Sequence, residues 1–232
     1  MVFHALWPNV LQKAVWFPLR PLFKFFIRYR IEGIEHIKNL PSGAVFAANH
    51  TSEFDPILIP AAMPFWSPHI PFFYTSRRAE WYAHLGWYAR ILYGGLFFKI
   101  WGAYPVEAGT HDYAKALRTH ATFLTEGHSV CIFPEGGIRS GTEPRRARGG
   151  VAYLAWRTGK PVVPVGIVGA RGMSLLDIFF RRKSVIVHFG KPLYAAELFA
   201  HCGSNPTVDK THNDFTASAQ MVMNKIKELL SA

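Results

Sequence analysis

Short apolar runs alternate with helical patterns along most of this 232-residue chain. Five runs have the length and the Val, Ile, Phe and Ala content of buried strands; they lie at 44–48, 71–75, 129–133, 162–168 and 185–189. Helical spacing follows over 112–126, 150–158 and 214–230, while 81–101 is rich in aromatic residues and fits either a helix pair or a flap. This alternation predicts an α/β fold with a largely parallel central sheet flanked by helices.

The first 30 residues differ from the rest. No acidic residue occurs before Glu32, whereas Lys, Arg, Trp and Phe recur throughout. A membrane-spanning helix needs about twenty uninterrupted apolar residues, and the cations interrupt any such run. We therefore expect residues 1–30 to form a basic amphipathic helical segment that lies peripherally on the cytoplasmic face of a membrane, and 31–232 to form one domain. The alternative is that this segment packs on the core of the domain.

Composition excludes some classes of protein. Half of the residues are hydrophobic and 15% are aromatic, which excludes a disordered chain. The net charge of +11 calls for an anionic partner: lipid headgroups, an acidic carrier protein, a phosphorylated substrate or nucleic acid. Cys131 and Cys202 do not form a disulfide framework, and no His/Cys spacing is typical of zinc, so we expect no metal.

The block Asn49–Asp55 carries an imidazole and a carboxylate five positions apart, between a strand and a helix. Pro56 suits the first turn of that helix, which makes Asp55 a candidate N-cap. A carboxylate held at one imidazole nitrogen fixes the tautomer, so that the other nitrogen can take a proton from a hydroxyl. On its own, this spacing also fits an ordinary turn histidine beside a capping aspartate.

A second block, Phe-Pro-Glu-Gly at 133–136, follows an apolar strand. Together, Asn-His-Thr-Ser-Glu-Phe-Asp at 49–55 and this block resemble the two main motifs of the glycerolipid acyltransferases, in particular the lysophosphatidic acid acyltransferase (PlsC-type) group. Three weaker blocks occur in the same order: Gly-Ala-Tyr-Pro-Val at 102–106, Pro-Val-Val-Pro-Val at 161–165 and Val-His-Phe-Gly-Lys-Pro at 187–192. The resemblance covers residues 30 to 192.

The resemblance implies a mechanism without a cofactor and without a covalent acyl-enzyme. His50 is expected to act as the general base and Asp55 to orient it, while an acceptor hydroxyl attacks the thioester of acyl-CoA or of an acyl-carrier protein. Asn49 and Ser52 are expected to stabilise the turn through backbone hydrogen bonds.

The resemblance also implies an acceptor site. Glu135 and Gly136 are expected to shape its pocket, and Arg139 with Ser140 to hold the phosphate of a lysophospholipid, first of all 1-acyl-sn-glycerol-3-phosphate. The family's intermediate motif usually continues to an arginine, but here Ala108 follows Glu107.

The missing arginine and the high positive net charge leave other functions open. The enzyme could acylate another lysolipid or a non-phosphorylated acceptor. A non-catalytic basic protein that binds membranes or nucleic acid is a second class, although the platform motifs of RNA-binding modules are missing. A metal-dependent hydrolase is a third, with few residues to act as ligands.

Overall fold

The computed structural model of this chain describes residues 3–78, 80, 96–107, 112–138, 146–202 and 210–231. Within them, seven strands form one sheet in the order β1-β7-β6-β2-β5-β3-β4. The strands are β1 (Arg30–Glu32), β2 (Val45–Ala48), β3 (Phe72–Ser76), β4 (Ala103–Pro105), β5 (Ser129–Ile132), β6 (Val162–Val168) and β7 (Ile186–Phe189). All neighbours pair in parallel except β6 and β7, which are antiparallel. The predicted fold class is confirmed.

Helices cover both faces of this sheet. The described α-helices are α1 (Phe3–Phe26), α2 (Asp55–Ala62), α3 (Leu96–Trp101), α4 (Tyr113–Ala116), α5 (Arg118–Thr125), α6 (Gly150–Thr158), α7 (Leu175–Phe179), α8 (Ala195–Leu198) and α9 (His212–Ser231). Short 3₁₀ turns also lie at Ile34–His36 and Ala200–Cys202.

The core has two parts, one on each face of the sheet. Phe46 of β2 packs with Leu58 of α2 on one face. Its neighbour Val45 packs with Leu154 of α6 and Met223 of α9 on the other. Successive strand residues point to opposite faces, so a strand covered on both sides is apolar throughout. This double burial is the reason why the central strands are continuous apolar runs in the sequence.

Helix α1 packs against the domain along one side. Phe23 of α1 and Ile27 just after it are buried in the core, and Gln12 is buried as well. Gln12 Nε2 donates to the carbonyls of Phe72 (2.9 Å) and Trp101 (2.8 Å), while its Oε1 accepts from the Phe72 N–H at 2.9 Å. The other side of the helix exposes aromatic residues. Among the described residues, no helix is both long and apolar enough to cross a bilayer.

Some elements differ from the sequence prediction. The pattern over 112–126 predicts one helix, but α4 and α5 are separate, with Leu117 between them at φ −113° and ψ 13°. Neither Gly nor Pro marks this break, so the spacing could not reveal it. Strands β1 and β4 were not predicted because each is only three residues long. Of the ambiguous stretch 81–101, residues 96–101 belong to α3 and 81–95 lie outside the described residues.

Candidate active site

The imidazole of His50 lies just beyond the carboxyl end of β2 and contacts a fully buried carboxylate. His50 Nδ1 and Asp55 Oδ2 are 2.9 Å apart. The Asp55 side chain has no exposed surface, and that of His50 is 15% exposed. Since Nδ1 is held by Asp55, Nε2 is the nitrogen that remains for a substrate hydroxyl.

Asp55 is held by the loop that precedes it. Its Oδ2 also accepts hydrogen bonds from the backbone N–H groups of Thr51 (2.7 Å) and Ser52 (2.9 Å). The prediction that Asp55 caps α2 is therefore wrong: Asp55 is the first helical residue, Phe54 precedes it as the cap, and the carboxylate turns back to the loop instead of forward to the helix. Three donors on one oxygen fix the carboxylate, which in turn fixes the imidazole ring.

The Phe-Pro-Glu-Gly block meets His50 from the next strand. β2 and β5 are parallel neighbours, with Ala47 opposite Ile132, so both blocks leave the same edge of the sheet. The ring of Phe133 stacks on the His50 imidazole, with 4.0 Å between centroids and 16° between planes. The His50 backbone N–H donates to Glu135 Oε1 at 3.3 Å. The fold thus joins two blocks that are 85 residues apart in sequence.

Gly136 makes the tight turn that ends this block. Its φ of +75° lies in the left-handed region that disfavours other residues, and a Cβ here would lie 2.6 Å from Nε of Arg148. On the same turn, Arg77 Nη2 donates to the Gly136 carbonyl at 2.9 Å. Two guanidinium groups therefore flank the turn beside His50.

Sequence reasoning did not select Arg77, although one signal was present. Arg77 follows β3, and β3 is the parallel neighbour of β5, so its carboxyl end reaches the same edge of the sheet. Arg139 and Ser140, which the sequence predicts as phosphate ligands, lie outside the described residues. The structure brings together the other four predicted site residues, namely His50, Asp55, Glu135 and Gly136.

Asn49 and Ser52 support the loop through backbone contacts. Asn49 is buried and exchanges two hydrogen bonds with the backbone of Ile167 in β6: Nδ2 donates to its carbonyl at 2.9 Å, and Oδ1 accepts from its N–H at 2.7 Å. Ser52 Oγ accepts from the Phe54 N–H at 3.1 Å. Ser52 therefore supports the turn as predicted, whereas Asn49 bonds across the sheet to β6 rather than within the turn.

A buried thiol lies close to Asp55 in this site. Cys131 lies in β5 without exposed surface. Burial first, and then the negative charge of Asp55, raise the pKa of the Cys131 thiol well above its ordinary value. Since the thiolate is the nucleophilic form, Cys131 stays an inert neutral thiol.

Comparison with known families decides the class of protein. The family model described as "Acyltransferase" matches residues 28–168, which is more than half of the chain. The chain belongs to the acyltransferase family. The matched region of this acyltransferase includes both motif blocks and six of the seven described strands in full, all except β7. The resemblance inferred from the motifs is confirmed.

Among solved structures, this acyltransferase is similar to the 1-acyl-sn-glycerophosphate (LPA) acyltransferase PlsC from Thermotoga maritima. The TM-score is 0.59 with 18% sequence identity, and the match covers 96% of this chain and 80% of the other. At that identity the match shows the shared fold. No curated protein matches the sequence of this acyltransferase.

Proposed function

We propose that this acyltransferase moves a fatty acyl group from acyl-CoA or an acyl-carrier protein to the hydroxyl of a lysophospholipid, first of all 1-acyl-sn-glycerol-3-phosphate, in phospholipid biosynthesis. The observation that carries the proposal is the 2.9 Å contact between His50 Nδ1 and the buried Asp55 carboxylate. The structurally similar protein from Thermotoga maritima is an LPA acyltransferase, which supports the choice of acceptor.

The chemistry follows from the orientation of His50. Nε2 removes the proton of the acceptor hydroxyl as its oxygen attacks the thioester carbonyl, and the C–S bond then breaks. The proton passes from His50 to the departing thiolate, so the imidazole is neutral again at the end. Asp55 stabilises the transient imidazolium at Nδ1, and such general-base assistance is typically worth about 10²–10⁴-fold in rate.

The turn at Gly136 is the proposed acceptor side of the site. Glu135 fixes the loop by accepting from the His50 backbone, and Gly136 allows the chain to turn away from the reacting atoms. Arg77 and Arg148 contribute positive charge beside this turn, which supports an anionic headgroup there. Arg139 and Ser140 remain part of the proposal as further phosphate ligands.

A different acceptor is the main alternative. Ala108, which lies outside the described residues, stands where the family usually has an arginine. Without that arginine, the site loses one charge-assisted hydrogen bond to the acceptor phosphate, which is worth about 1.5–3 kcal/mol of binding. The preference for a phosphorylated acceptor is therefore smaller than in a family member that has the arginine, and another lysolipid or a non-phosphorylated acceptor is the alternative.

A panel of acceptors tests the proposal. The purified full-length chain is given acyl-CoA, or in parallel acyl-carrier protein, with 1-acyl-sn-glycerol-3-phosphate, with the matching 1-acylglycerol and with lysophosphatidylcholine. We expect transfer to the phosphate monoester to exceed transfer to 1-acylglycerol by about tenfold or more, as one charged contact would give. Products are quantified by mass spectrometry. Transfer confined to 1-acylglycerol would show that the acceptor is not a phosphate monoester. Absence of transfer to all three acceptors would overturn the proposal.

We also propose that the outer side of α1 holds the enzyme on an anionic membrane surface. Trp7, Phe17 and Phe25 on this side are 61%, 69% and 57% exposed, among the cations of the acid-free segment. A second element extends the same face: Phe179 is 68% exposed and stacks on Phe26 with 6.1 Å between ring centroids, and the Arg181 guanidinium lies 4.7 Å from the Phe25 ring. Exposed aromatic rings next to cations are typical of a surface that inserts into the headgroup region.

Replacing Phe17, Phe25 and Phe179 together with serine tests this face. We expect binding to phosphatidylglycerol-containing vesicles to weaken by at least tenfold, because burial of each phenylalanine side chain stabilises by about 1.5–3 kcal/mol when it is complete. Vesicle sedimentation measures the change. Met221→Ser, which removes a 41% exposed apolar side chain from α9, is the matched control and should bind as the wild type does. Equal sedimentation of the triple variant and the wild type would contradict the proposal.

A further inference from the structure

A second group of side chains that can act as metal ligands lies at the amino end of β5, whereas His50 lies near its carboxyl end. His4 is in the first turn of α1, Glu126 directly follows α5, and His128 directly precedes β5. His4 Nε2 and Glu126 Oε2 are 3.1 Å apart. One ligand atom from each of the three residues, an imidazole nitrogen or a carboxylate oxygen, lies within 4.8 Å of the other two. The fold thus brings together residues that are up to 124 positions apart.

The surroundings of these residues favour a site over a chance contact. The His4 ring packs on Phe123, with 4.9 Å between centroids, and the His128 ring lies 5.2 Å from Phe73. These rings form an apolar wall behind the nitrogens. The side chains of His4 and Glu126 are only 25% and 34% exposed. Neither nitrogen of His128 makes a hydrogen bond with a described residue, so a lone pair is available next to an existing His–Glu pair.

We propose that His4, Glu126 and His128 bind one Zn²⁺ ion, with water as the fourth ligand. Two imidazole nitrogens and one carboxylate oxygen are ligands that zinc accepts, in tetrahedral geometry with bonds of about 2.0–2.2 Å. Such bonds place the ligand atoms about 3.3–3.6 Å apart. The three atoms lie within 4.8 Å of one another, so zinc binding requires the partly exposed His4 and Glu126 side chains to rotate toward the ion.

The position of the cluster suggests its role. β5 begins at Ser129, next to His128, whereas the Phe-Pro-Glu-Gly block follows the other end of this strand. The proposed metal is therefore separated from the proposed active site by the length of the strand and takes no part in acyl transfer. Its ligands connect the first turn of α1 to the loop between α5 and β5, so the bound ion would fasten the start of α1 to the domain.

The sequence predicts no metal because zinc motifs are recognised from closely spaced ligands, and His4 is distant from the other two in sequence. A second cluster, formed by His201, Cys202 and Asp214, is less suited to a metal. Oδ2 of Asp214 already accepts from the backbone N–H and the hydroxyl of Thr211, at 2.8 Å each, at the start of α9. A substitution in this second cluster therefore serves as the control for the zinc-binding experiment.

Calorimetric titration of ZnCl₂ into the untagged full-length chain, after EDTA treatment and dialysis, tests the proposal. We expect one equivalent to bind and the melting temperature to rise by about 5 °C at a hundredfold excess of zinc over the dissociation constant. His128→Ala should weaken binding by at least tenfold. Glu126→Gln changes only a partly exposed side chain and should weaken binding as well while the fold is kept. His201→Ala should bind zinc as the wild type does.

Substitution of Co²⁺ for Zn²⁺ adds a readout of geometry, since a four-coordinate site gives intense visible absorption. Tight binding that is lost in the His128 and Glu126 variants and kept in His201→Ala would establish the site. Absence of binding to the wild type, or equal binding to wild type and Glu126→Gln, would overturn it. The rate of acyl transfer is measured separately and should be the same with and without zinc, because the proposed metal site takes no part in acyl transfer.

Discussion

Replacing His50 with alanine is expected to lower kcat/KM for acyl transfer by about 10³-fold or more. The variant loses the proton acceptor for the attacking hydroxyl, and general-base assistance of this kind is worth about 10²–10⁴-fold. Steady-state release of free coenzyme A from acyl-CoA, with 1-acyl-sn-glycerol-3-phosphate as acceptor, measures the change. Binding to anionic vesicles should be unaffected, since His50 lies at the sheet edge and not on the aromatic side of α1.

Two comparisons make this result interpretable. His201→Ala removes an exposed imidazole outside the proposed site and should keep full activity. The far-UV circular dichroism and the melting curve of His50→Ala show whether the loss of stacking on Phe133 has disturbed the fold. A correctly folded His50→Ala variant with wild-type turnover would refute the assigned base.

Replacing Asp55 with asparagine is expected to reduce kcat by about 10²–10⁴-fold with little loss of stability, which separates the role of the charge from that of the hydrogen bonds. The amide oxygen of Asn can still accept from the N–H groups of Thr51 and Ser52, which donate to Oδ2 at 2.7 and 2.9 Å in the wild type. It carries no negative charge, however, and cannot stabilise the imidazolium of His50. Single-turnover kinetics would place the loss in the chemical step.

Asp55→Ala is the matched comparison. It removes the acceptor altogether and leaves the two backbone donors without a partner at a fully buried position. Each unsatisfied buried group costs about 1–3 kcal/mol, so the free energy of unfolding should fall by about 2–6 kcal/mol for the two donors, as measured by urea denaturation. Equal stability of the two variants, or full activity of Asp55→Asn, would contradict the arrangement described above.

Much of the fold could be predicted from the sequence, because double burial leaves a clear pattern. The apolar runs that became β2, β5 and β6 are buried on both faces, and their bounds differ from the prediction by a residue or less. The errors fall where burial leaves no such pattern. Strands β1 and β4 lie at the two ends of the sheet order and are three residues long.

The candidate site was predicted unevenly. His50, Asp55, Glu135 and Gly136 could be selected because each stands in a motif block with a fixed spacing. Arg77 could not be selected, because its contact with Gly136 depends on β3 lying next to β5 in the sheet. Local sequence patterns do not predict the order of strands. The cap assigned to Asp55 is wrong for a related reason: local sequence favours a capping aspartate before Pro56, but the carboxylate is drawn to His50 and to the two N–H groups of its loop.

Local sequence patterns were enough to predict the α/β fold from strand length and helix spacing, and an acyltransferase from the resemblance of its motif blocks, because these are properties of neighbouring residues. Which distant residues meet follows only from the folded chain. It stacked Phe133 on His50, placed Arg77 and Arg148 at the Gly136 turn, and gathered His4, Glu126 and His128 at the start of β5. The physical reason is that the order and register of a parallel sheet follow from the packing of whole helices and strands, which bring together side chains that no local pattern connects.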